Sequence, residues 1–112
     1  MARAATTADV FNAIAEPRRR RILDVLAEGE RSVSDIVAEL PVSQPQVSKH
    51  LKVLKDVDLV RSRSEGRQRL YRIDALALKP IHDWLESYER LWNERLDRLD
   101  SYLYQIQREE KE

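Results

Sequence analysis

The C-terminal third of the chain carries a long apolar ladder that no helix-breaking residue interrupts. Between about Pro80 and Gln107 the sequence has no glycine and no further proline. Apolar residues recur there at steps of three and four, a mean spacing close to the 3.6 residues of an α-helical turn. The pattern predicts a single helix, roughly 42 Å long at about 1.5 Å per residue. Its apolar side consists of Ile81, Leu85, Tyr88, Trp92, Leu96, Leu99, Leu103 and Ile106.

This helix limits what the chain can become, because a small core cannot cover so long an apolar side. The chain has 112 residues, 42% hydrophobic and 36% charged, which suits one compact domain. An exposed apolar stripe would be sticky, so we expect it to pair with a second copy across a two-fold axis, together with the first helix. A ligand pocket lined by Trp84, Tyr88 and Trp92 is the alternative. The residues assigned to dimerisation are Phe11, Ile81, Leu85, Tyr88, Trp92, Leu96, Leu99 and Leu103.

Three shorter helices are predicted in the first forty residues. Thr7 can cap the first, and Pro17 suits the first turn of the second, which Gly29 ends. Ser32 or Ser34 can open the third. The residues expected inside are Val10, Phe11, Ile14 and Ala15 in the first helix, Ile22, Leu23, Val25 and Leu26 in the second, and Ile36, Val37 and Leu40 in the third.

Four successive arginines, Arg18 to Arg21, lie near the start of the second helix. Neighbouring residues on a helix are about 100° apart, so the four side chains cannot share one face or all reach one DNA molecule. Arg20 and Arg21 at least are expected on the helix surface, paired with carboxylates or with the other half of a dimer.

A fourth helix begins at "SQPQ". Ser43 followed three residues later by Gln46 fits a capping box, and Pro45 suits a first turn that needs no amide donor. Val47, Leu51 and Leu54 then give a narrow buried stripe. The outward side carries glutamine, serine and lysine, and it has no carboxylate before Asp56. A helix that only covers a core usually alternates the signs of its charges, so this side is suited to a negative partner.

The charges of the chain are segregated, although its formal net charge is zero. Residues 1–74 carry a net charge of +3 and residues 75–112 a net charge of −3. Within 43–73, eight basic residues stand against three acidic ones, a net charge of +5. A polyanion responds to such a local surface rather than to the overall pI.

The basic segment continues into a β-hairpin. Leu59 and Val60, then Leu70, Tyr71 and Ile73, are strand formers on either side of a turn at Glu65–Gly66. Two short helices joined by "LPVS" and followed by this hairpin predict a winged helix-turn-helix. Glutamine and serine can donate to and accept from base edges, and lysines meet phosphates. Four hairpin arginines can reach a minor groove or its backbone: Arg61, Arg63, Arg67 and Arg69.

The stretch from about Asp9 to Asp74 resembles the winged helix-turn-helix domain of the ArsR/SmtB family of transcriptional repressors. The resemblance is carried by "PRRRRIL", "VSQPQVSKHLKVL", "LV" and "GRQRLYRID" in this order and spacing. It implies a homodimer that binds an inverted-repeat operator and represses transcription. By this similarity, five residues lie where the helix approaches the major groove: Ser43, Gln44, Pro45, Ser48 and Lys49. Gln46 and Lys52 complete the expected DNA-binding surface.

Metal sensing, for which this family is best known, does not fit the residues. The chain has no cysteine, and its two histidines are His50 and His82. His50 lies beside the buried stripe of the fourth helix, where we expect it to pack or to touch phosphate. His82, Asp83 and Glu86 could bind zinc weakly, but a solvated helix face is the preferred interpretation. We therefore predict no metal and no cofactor, and an unidentified small molecule or protein as any effector.

Other classes of function find little support in the sequence. There is no glycine-rich phosphate loop and no cysteine nucleophile, and neither histidine has a sequence context for acid–base catalysis, so no enzyme is expected. The start of the chain lacks the apolar run of a signal peptide, and no segment approaches a membrane span, so a cytoplasmic protein is expected. The competing hypothesis is a protein-interaction module without DNA readout. We expect a mainly α single domain, with DNA binding in residues 8–74 and dimerisation in residues 75–108.

Overall fold

The computed structural model describes residues 9–111 and is mainly α-helical, with a small antiparallel sheet, as predicted. Its residues up to Pro80 form one compact unit, and those from Ile81 form a second. The elements in chain order are α1 (Val10–Ala15), α2 (Pro17–Leu26), β1 (Arg31–Ser32), α3 (Val33–Glu39), α4 (Gln44–Asp56), β2 (Val60–Glu65), β3 (Gln68–Ile73), a 3₁₀ turn (Ala75–Leu78) and α5 (Lys79–Lys111).

The core of the first unit lies between α2, α3, α4 and the start of β2. Every apolar residue predicted inside α2 is buried, and so is the stripe of Val47, Leu51 and Leu54 on α4. Burying a side chain of this size stabilises the fold by roughly 1.5–3 kcal/mol. The largest side chains with less than 2% of their surface exposed are Ile22, Leu26, Ile36, Leu51, Leu54, Leu59, Val47 and Val60.

The first helix differs from its prediction. Thr7 lies outside the described residues, and α1 is capped by Asp9, whose Oδ1 accepts a hydrogen bond from the Asn12 amide at 2.7 Å. Val10 is buried as expected, but Phe11 and Ala15 are exposed, whereas Ala13 is fully buried. Ile14 is partly buried, so the predicted stripe is wrong at Phe11 and Ala15 only; α1 has six residues, less than two turns, and Ala13 lies in the core instead of them.

Two of the four successive arginines close the end of α1. Arg19 Nε donates to the carbonyl oxygen of Ala13 at 2.6 Å, and its second terminal nitrogen donates to that of Asn12 at 3.2 Å. Arg20 donates to the carbonyl oxygen of Ile14 at 2.5 Å, where a carboxylate or a dimer partner was expected. The last carbonyl groups of a helix have no intrahelical donor, so these guanidinium groups satisfy them.

Ser32, rather than Ser34, caps α3. Its hydroxyl oxygen accepts from the Asp35 amide at 3.2 Å, and the Asp35 carboxylate accepts from the Ser32 amide at 3.1 Å, which makes a complete capping box. Ile36 is fully buried, whereas Val37 and Leu40 are only partly buried, because α3 lies near the surface.

The sheet has three strands in the order β1-β3-β2, one more than the predicted hairpin. Strand β1 pairs Arg31 with Tyr71 and Ser32 with Leu70. Two residues are too few for an alternating pattern, so the sequence did not predict this strand. The hairpin turn occupies Gly66–Arg67, one residue later than predicted, and Gly66 has a φ of 62° that favours glycine.

The predicted long helix is present and extends beyond both predicted ends. Helix α5 has 33 residues, which corresponds to about 50 Å at about 1.5 Å per residue. Of the residues assigned to dimerisation, Ile81 is partly buried and the other α5 members are exposed in the single chain. Among residues 9–111, no helix combines the length and the apolar character needed to cross a membrane.

Candidate nucleic-acid interface

Residues at the start of α4 stabilise its first turn. The Ser43 hydroxyl oxygen accepts from the Gln46 amide at 3.4 Å, and Pro45 stands in the first turn, where its missing N–H costs nothing. Residues 43–46 are all exposed. The first turn therefore projects from the surface while its backbone stays fixed.

The buried stripe of α4 sets which side chains face outward. Val47, Leu51 and Leu54 have at most 1% of their surface exposed, so they fix the rotation of the helix about its axis. Within the described part of the chain, no side chain contacts the outward polar groups through a hydrogen bond or an ion pair. These exposed groups are Gln44, Gln46, Ser48 and Lys49. They combine donors and acceptors suited to base edges with a cation suited to phosphate.

Lys52 lies one turn further along the same side of α4. Its Nζ is 3.2 Å from a carboxylate oxygen of Asp56, and both side chains are well exposed. An exposed i,i+4 pair of this kind stabilises a helix by only about 0.3–0.5 kcal/mol. A phosphate can therefore replace Asp56 at little cost.

His50 is partly buried on the inner flank of α4. Its Nδ1 lies 3.5 Å from a terminal nitrogen of Arg19, the residue that also bonds the end of α1. Burial lowers the pKa of His50, and the nearby Arg19 guanidinium lowers it further. The structure thus shows His50 packed against Arg19, in a setting that favours the neutral ring, and a phosphate contact stays a prediction.

The four predicted hairpin arginines are divided between opposite faces and the turn. Arg61 lies opposite Arg72, and Arg63 lies opposite Leu70, which puts both on one face of the hairpin. Arg69 lies opposite Ser64 on the other face, because side chains alternate along a strand. Arg67 stands in the turn itself. The structure thus does not bring these arginines together on one surface.

Arg63 is engaged by carboxylates. Its Nε and one terminal nitrogen each donate to a different oxygen of Glu30 at 2.9 Å, and Glu65 lies 3.4 Å away. The hydrogen bonds from Arg63 lower the pKa of Glu30, so the carboxylate stays ionised. Glu30 lies just before β1. It is 33 positions away from Arg63 in the sequence.

Arg61 makes a second ion pair, with Asp74 just after β3. Arg61 Nε donates to a carboxylate oxygen of Asp74 at 2.8 Å. This hydrogen bond lowers the pKa of Asp74, whose other oxygen accepts from the Leu76 amide at 3.3 Å and caps the 3₁₀ turn. The sequence did not identify Glu30 and Asp74 as ion-pair partners, because no local spacing relates them to the arginines they bind.

The arginines near the tip of the hairpin differ from Arg61 and Arg63 in their partners. Arg67 and Arg69 are exposed, and in the described part of the chain neither has a carboxylate partner. Arg69 donates to the Ser62 hydroxyl at 3.0 Å, a neutral acceptor. Both guanidinium groups therefore keep an uncompensated positive charge at the end of the hairpin.

A metal site is not evident where the sequence offered one. His82 lies 3.3 Å from Asp83 and 3.9 Å from Glu86, all on the exposed surface of α5. Among residues 9–111, no three or more histidine, cysteine, aspartate or glutamate side chains are arranged to hold a metal ion.

Comparison with known proteins identifies the family. Residues 16–62 match the model described as "Bacterial regulatory protein, arsR family". The HTH-type transcriptional regulator Rv2034 of Mycobacterium tuberculosis is 40% identical over 77% of this chain and 78% of its own length. The transcriptional repressor SdpR of Bacillus subtilis is 31% identical over 71% of this chain and 89% of its own length.

A solved structure shows the same fold. The homodimeric winged helix-turn-helix DNA-binding domain of a possible ArsR-family transcriptional regulator from Mycobacterium bovis has a TM-score of 0.59 and 33% identity. The match covers 72% of this chain and 75% of that one. In this architecture α3 and α4 form the helix-turn-helix and β2–β3 is the wing, so the chain belongs to the arsR family of bacterial regulatory proteins and is a DNA-binding transcriptional regulator.

Proposed function

We propose that this chain is a homodimeric repressor that reads an inverted-repeat operator with the N-terminal half of α4. The observation that carries the proposal is the outward side of α4, where Gln44, Ser48 and Lys49 are exposed and have no partner among the described residues. Polar side chains left unpaired at the start of a helix-turn-helix recognition helix are those that contact base edges in this motif. Ser43, Pro45 and Gln46 support the same contact by fixing and surrounding the first turn.

Phosphate contacts complete the proposed interface. Lys52 follows along α4, and Arg67 and Arg69 extend it to the tip of the wing, where a minor groove or its backbone would lie. These cations supply affinity that is independent of sequence, and releasing counterions from DNA makes that affinity dependent on salt. The N-terminal half of α4 supplies the specificity.

Dimerisation supplies the symmetry that an inverted repeat requires. Large apolar residues on one side of α5, together with Phe11 on α1, are exposed in the single chain. An isologous contact between two copies would bury such residues on both chains at once. The Mycobacterium bovis relative, described as a homodimer, supports this assembly. We propose that the dimer acts in the cytoplasm without a metal or cofactor, and that an organic ligand or a protein partner relieves repression where relief occurs.

The test separates base reading from phosphate binding. Fluorescence anisotropy would use an operator selected from a random-sequence duplex library and a scrambled duplex of the same composition, across a series of salt concentrations. Gln44→Ala should weaken operator binding by about 1–3 kcal/mol, leaving the scrambled duplex and the salt slope nearly unchanged. Arg67→Ala should weaken both duplexes and lower the slope by about one unit. Equal weakening of both duplexes by Gln44→Ala would refute the base-reading assignment.

A further inference from the structure

The middle of β2 carries an arginine that is already bound by carboxylates. Arg63 lies within ion-pair distance of two carboxylates, Glu30 and Glu65, and the charge of Arg72 also acts on Glu30, so the positive and negative charges balance here. A phosphate that approached Arg63 would have to compete with both carboxylates for the same guanidinium group. The DNA contact predicted for Arg63 would therefore require breaking its bonds to Glu30.

The geometry points to a different role: we propose that Arg63 and Glu30 form a brace that orients the wing, and that neither residue contacts DNA. The proposal rests on the proposed DNA-binding function, because it concerns how the wing tip reaches its phosphates. Arg63 is thus a positioning residue, which acts through Arg67 and Arg69 at the tip.

The path of the brace supports this role. Strands β1 and β2 are not neighbours, because β3 lies between them in the sheet. Arg63 on β2 reaches over β3 to Glu30, just before β1, and thereby connects the wing to the loop that follows α2. Strand β1 pairs with β3 through only two residues, so its backbone ladder alone holds the wing weakly. The brace adds a direct connection beside the shorter of the two strand pairings, two residue pairs against six.

The chemistry of the pair suits a fixed connection. Two parallel N–H···O bonds of 2.9 Å, from Nε and a terminal nitrogen to the two carboxylate oxygens, set both the distance and the plane of the contact. A lysine would form a single point contact and would leave the orientation free. The side chains are partly covered, with 48% of Arg63 and 29% of Glu30 exposed.

The test compares the two members of the brace with an arginine at the tip. The variants are Arg63→Gln, Glu30→Gln, the double variant and the charge swap Glu30→Arg with Arg63→Glu, with Arg67→Gln as the matched control. Affinity for the selected operator and the scrambled duplex would be measured by anisotropy across salt. Exchange of the amide hydrogens of the β1–β3 ladder, measured without DNA, gives a second readout.

The brace predicts the same result for its two members. Arg63→Gln and Glu30→Gln should each weaken operator binding about two- to fivefold, the range for one exposed ion pair, and the double variant should be no weaker than either. The salt slope should stay at the wild-type value, and exchange in the β1–β3 ladder should accelerate. The charge swap should recover binding to within about twofold. Arg67→Gln should instead lower the slope by about one unit without changing the exchange.

Two results would overturn the brace. Loss of about one unit of salt slope in Arg63→Gln, with binding unchanged or tighter in Glu30→Gln, would make Arg63 a phosphate contact. Unchanged binding and exchange in both variants would show that the wing does not depend on the pair. Failure of the proposed function is a separate observation, because the wild-type protein would then show no preference for the selected operator, whatever the exchange data show.

Discussion

The two compact units of the chain use their apolar residues in opposite ways. Before Ile81, the apolar core residues have at most 8% of their surface exposed, so one copy of the chain buries them by itself. On α5, large apolar side chains such as Leu85, Trp92 and Leu99 have between about a third and two thirds of their surface exposed. The first unit thus has its stabilising contacts within one chain, whereas α5 has an apolar side that a single copy leaves in water. The stability that the buried core contributes should not depend on protein concentration, whereas the stability contributed by α5 and by Phe11 on α1 should.

The largest expected effect comes from placing charge on the apolar side of α5. Replacing Trp92 and Leu99 by Asp together would put unpaired carboxylates into the proposed dimer contact, which costs several kcal/mol. We expect a monomer with lost operator affinity, although no residue of α4 or the wing has changed. Light scattering measures the assembly. A double variant that remains dimeric would place the dimer contact elsewhere.

A control keeps this result distinct from unfolding. The core of the first unit lies entirely before Ile81, so its slowly exchanging amides should keep their protection in the double variant. Asp100→Asn, which changes a polar residue of α5, should leave both assembly and exchange as in the wild type.

The second effect tests the unit that is complete within one chain. Leu51→Ala removes a side chain with 1% of its surface exposed and should lower the free energy of unfolding by about 2–5 kcal/mol. This decrease in the free energy of unfolding should be the same at every protein concentration. Urea denaturation, followed with a probe in the first unit, measures it. Leu76→Ala, at a residue that is 75% exposed, is the matched control and should change the value by less than about 0.5 kcal/mol. A loss that varies with concentration would show that the first unit depends on a partner.

The third effect concerns the start of the recognition helix. Ser43→Ala removes the hydroxyl oxygen that accepts from the Gln46 amide and should cost about 1 kcal/mol of stability. Because the first turn carries the proposed base contacts, fraying there should lower operator affinity more than affinity for a scrambled duplex. Ser43→Asp restores an acceptor and should recover stability, but its charge should weaken binding to both duplexes. Equal stability of Ser43→Ala and wild type would show that the cap contributes little.

Periodicity predicted the helices well, because it reports on burial within a single element. The stripe on α4 and the core positions of α2 are both confirmed, and the length of α5 could be read from the absence of breakers. Prediction failed for α1, where fewer than two turns leave no period to measure. It also missed β1, whose two residues become a strand only because β3 lies beside them.

In the candidate site, too, the sequence predicts features that depend on one element and misses contacts between residues far apart in the chain. The exposed face of α4 follows from one helix and its stripe, so the sequence alone could place Gln44 and Ser48 on it, while their contact with bases stays a prediction. The hairpin arginines look alike in sequence, and what separates them is their distant partners. Arg63 has Glu30 across the sheet, whereas Arg67 has no carboxylate among the described residues. The ion pair between Arg63 and Glu30 joins residues 33 positions apart, and it forms because of the order of the strands in the sheet. The composition of the chain does not predict that order.

The smallest expected effect is a pH dependence confined to the first unit. Burial and Arg19 lower the pKa of His50 below its ordinary value of 6.5, whereas Glu16 acts in the opposite direction and Arg18 and Lys49 add to the lowering. The folded protein therefore favours the neutral ring. The unfolded chain takes up this proton at a higher pH than the folded chain, so the stabilisation is present above about pH 6.5 and is lost as the pH falls through the lowered pKa.

His50→Gln removes the titrating group, so the variant is the control against which the pH dependence of the wild type is compared. Between pH 7.5 and 5.5 the melting temperature of the wild type should fall more than that of His50→Gln, and the difference should be the same at all protein concentrations because His50 belongs to the first unit. Arg19→Gln removes the neighbouring cation, so the pKa of His50 should rise toward its ordinary value and the pH dependence should shrink. Thermal melts across this range measure all three proteins. An identical fall in wild type and His50→Gln would mean that His50 titrates alike in the folded and unfolded chains, and its contact with Arg19 would then not favour the neutral ring.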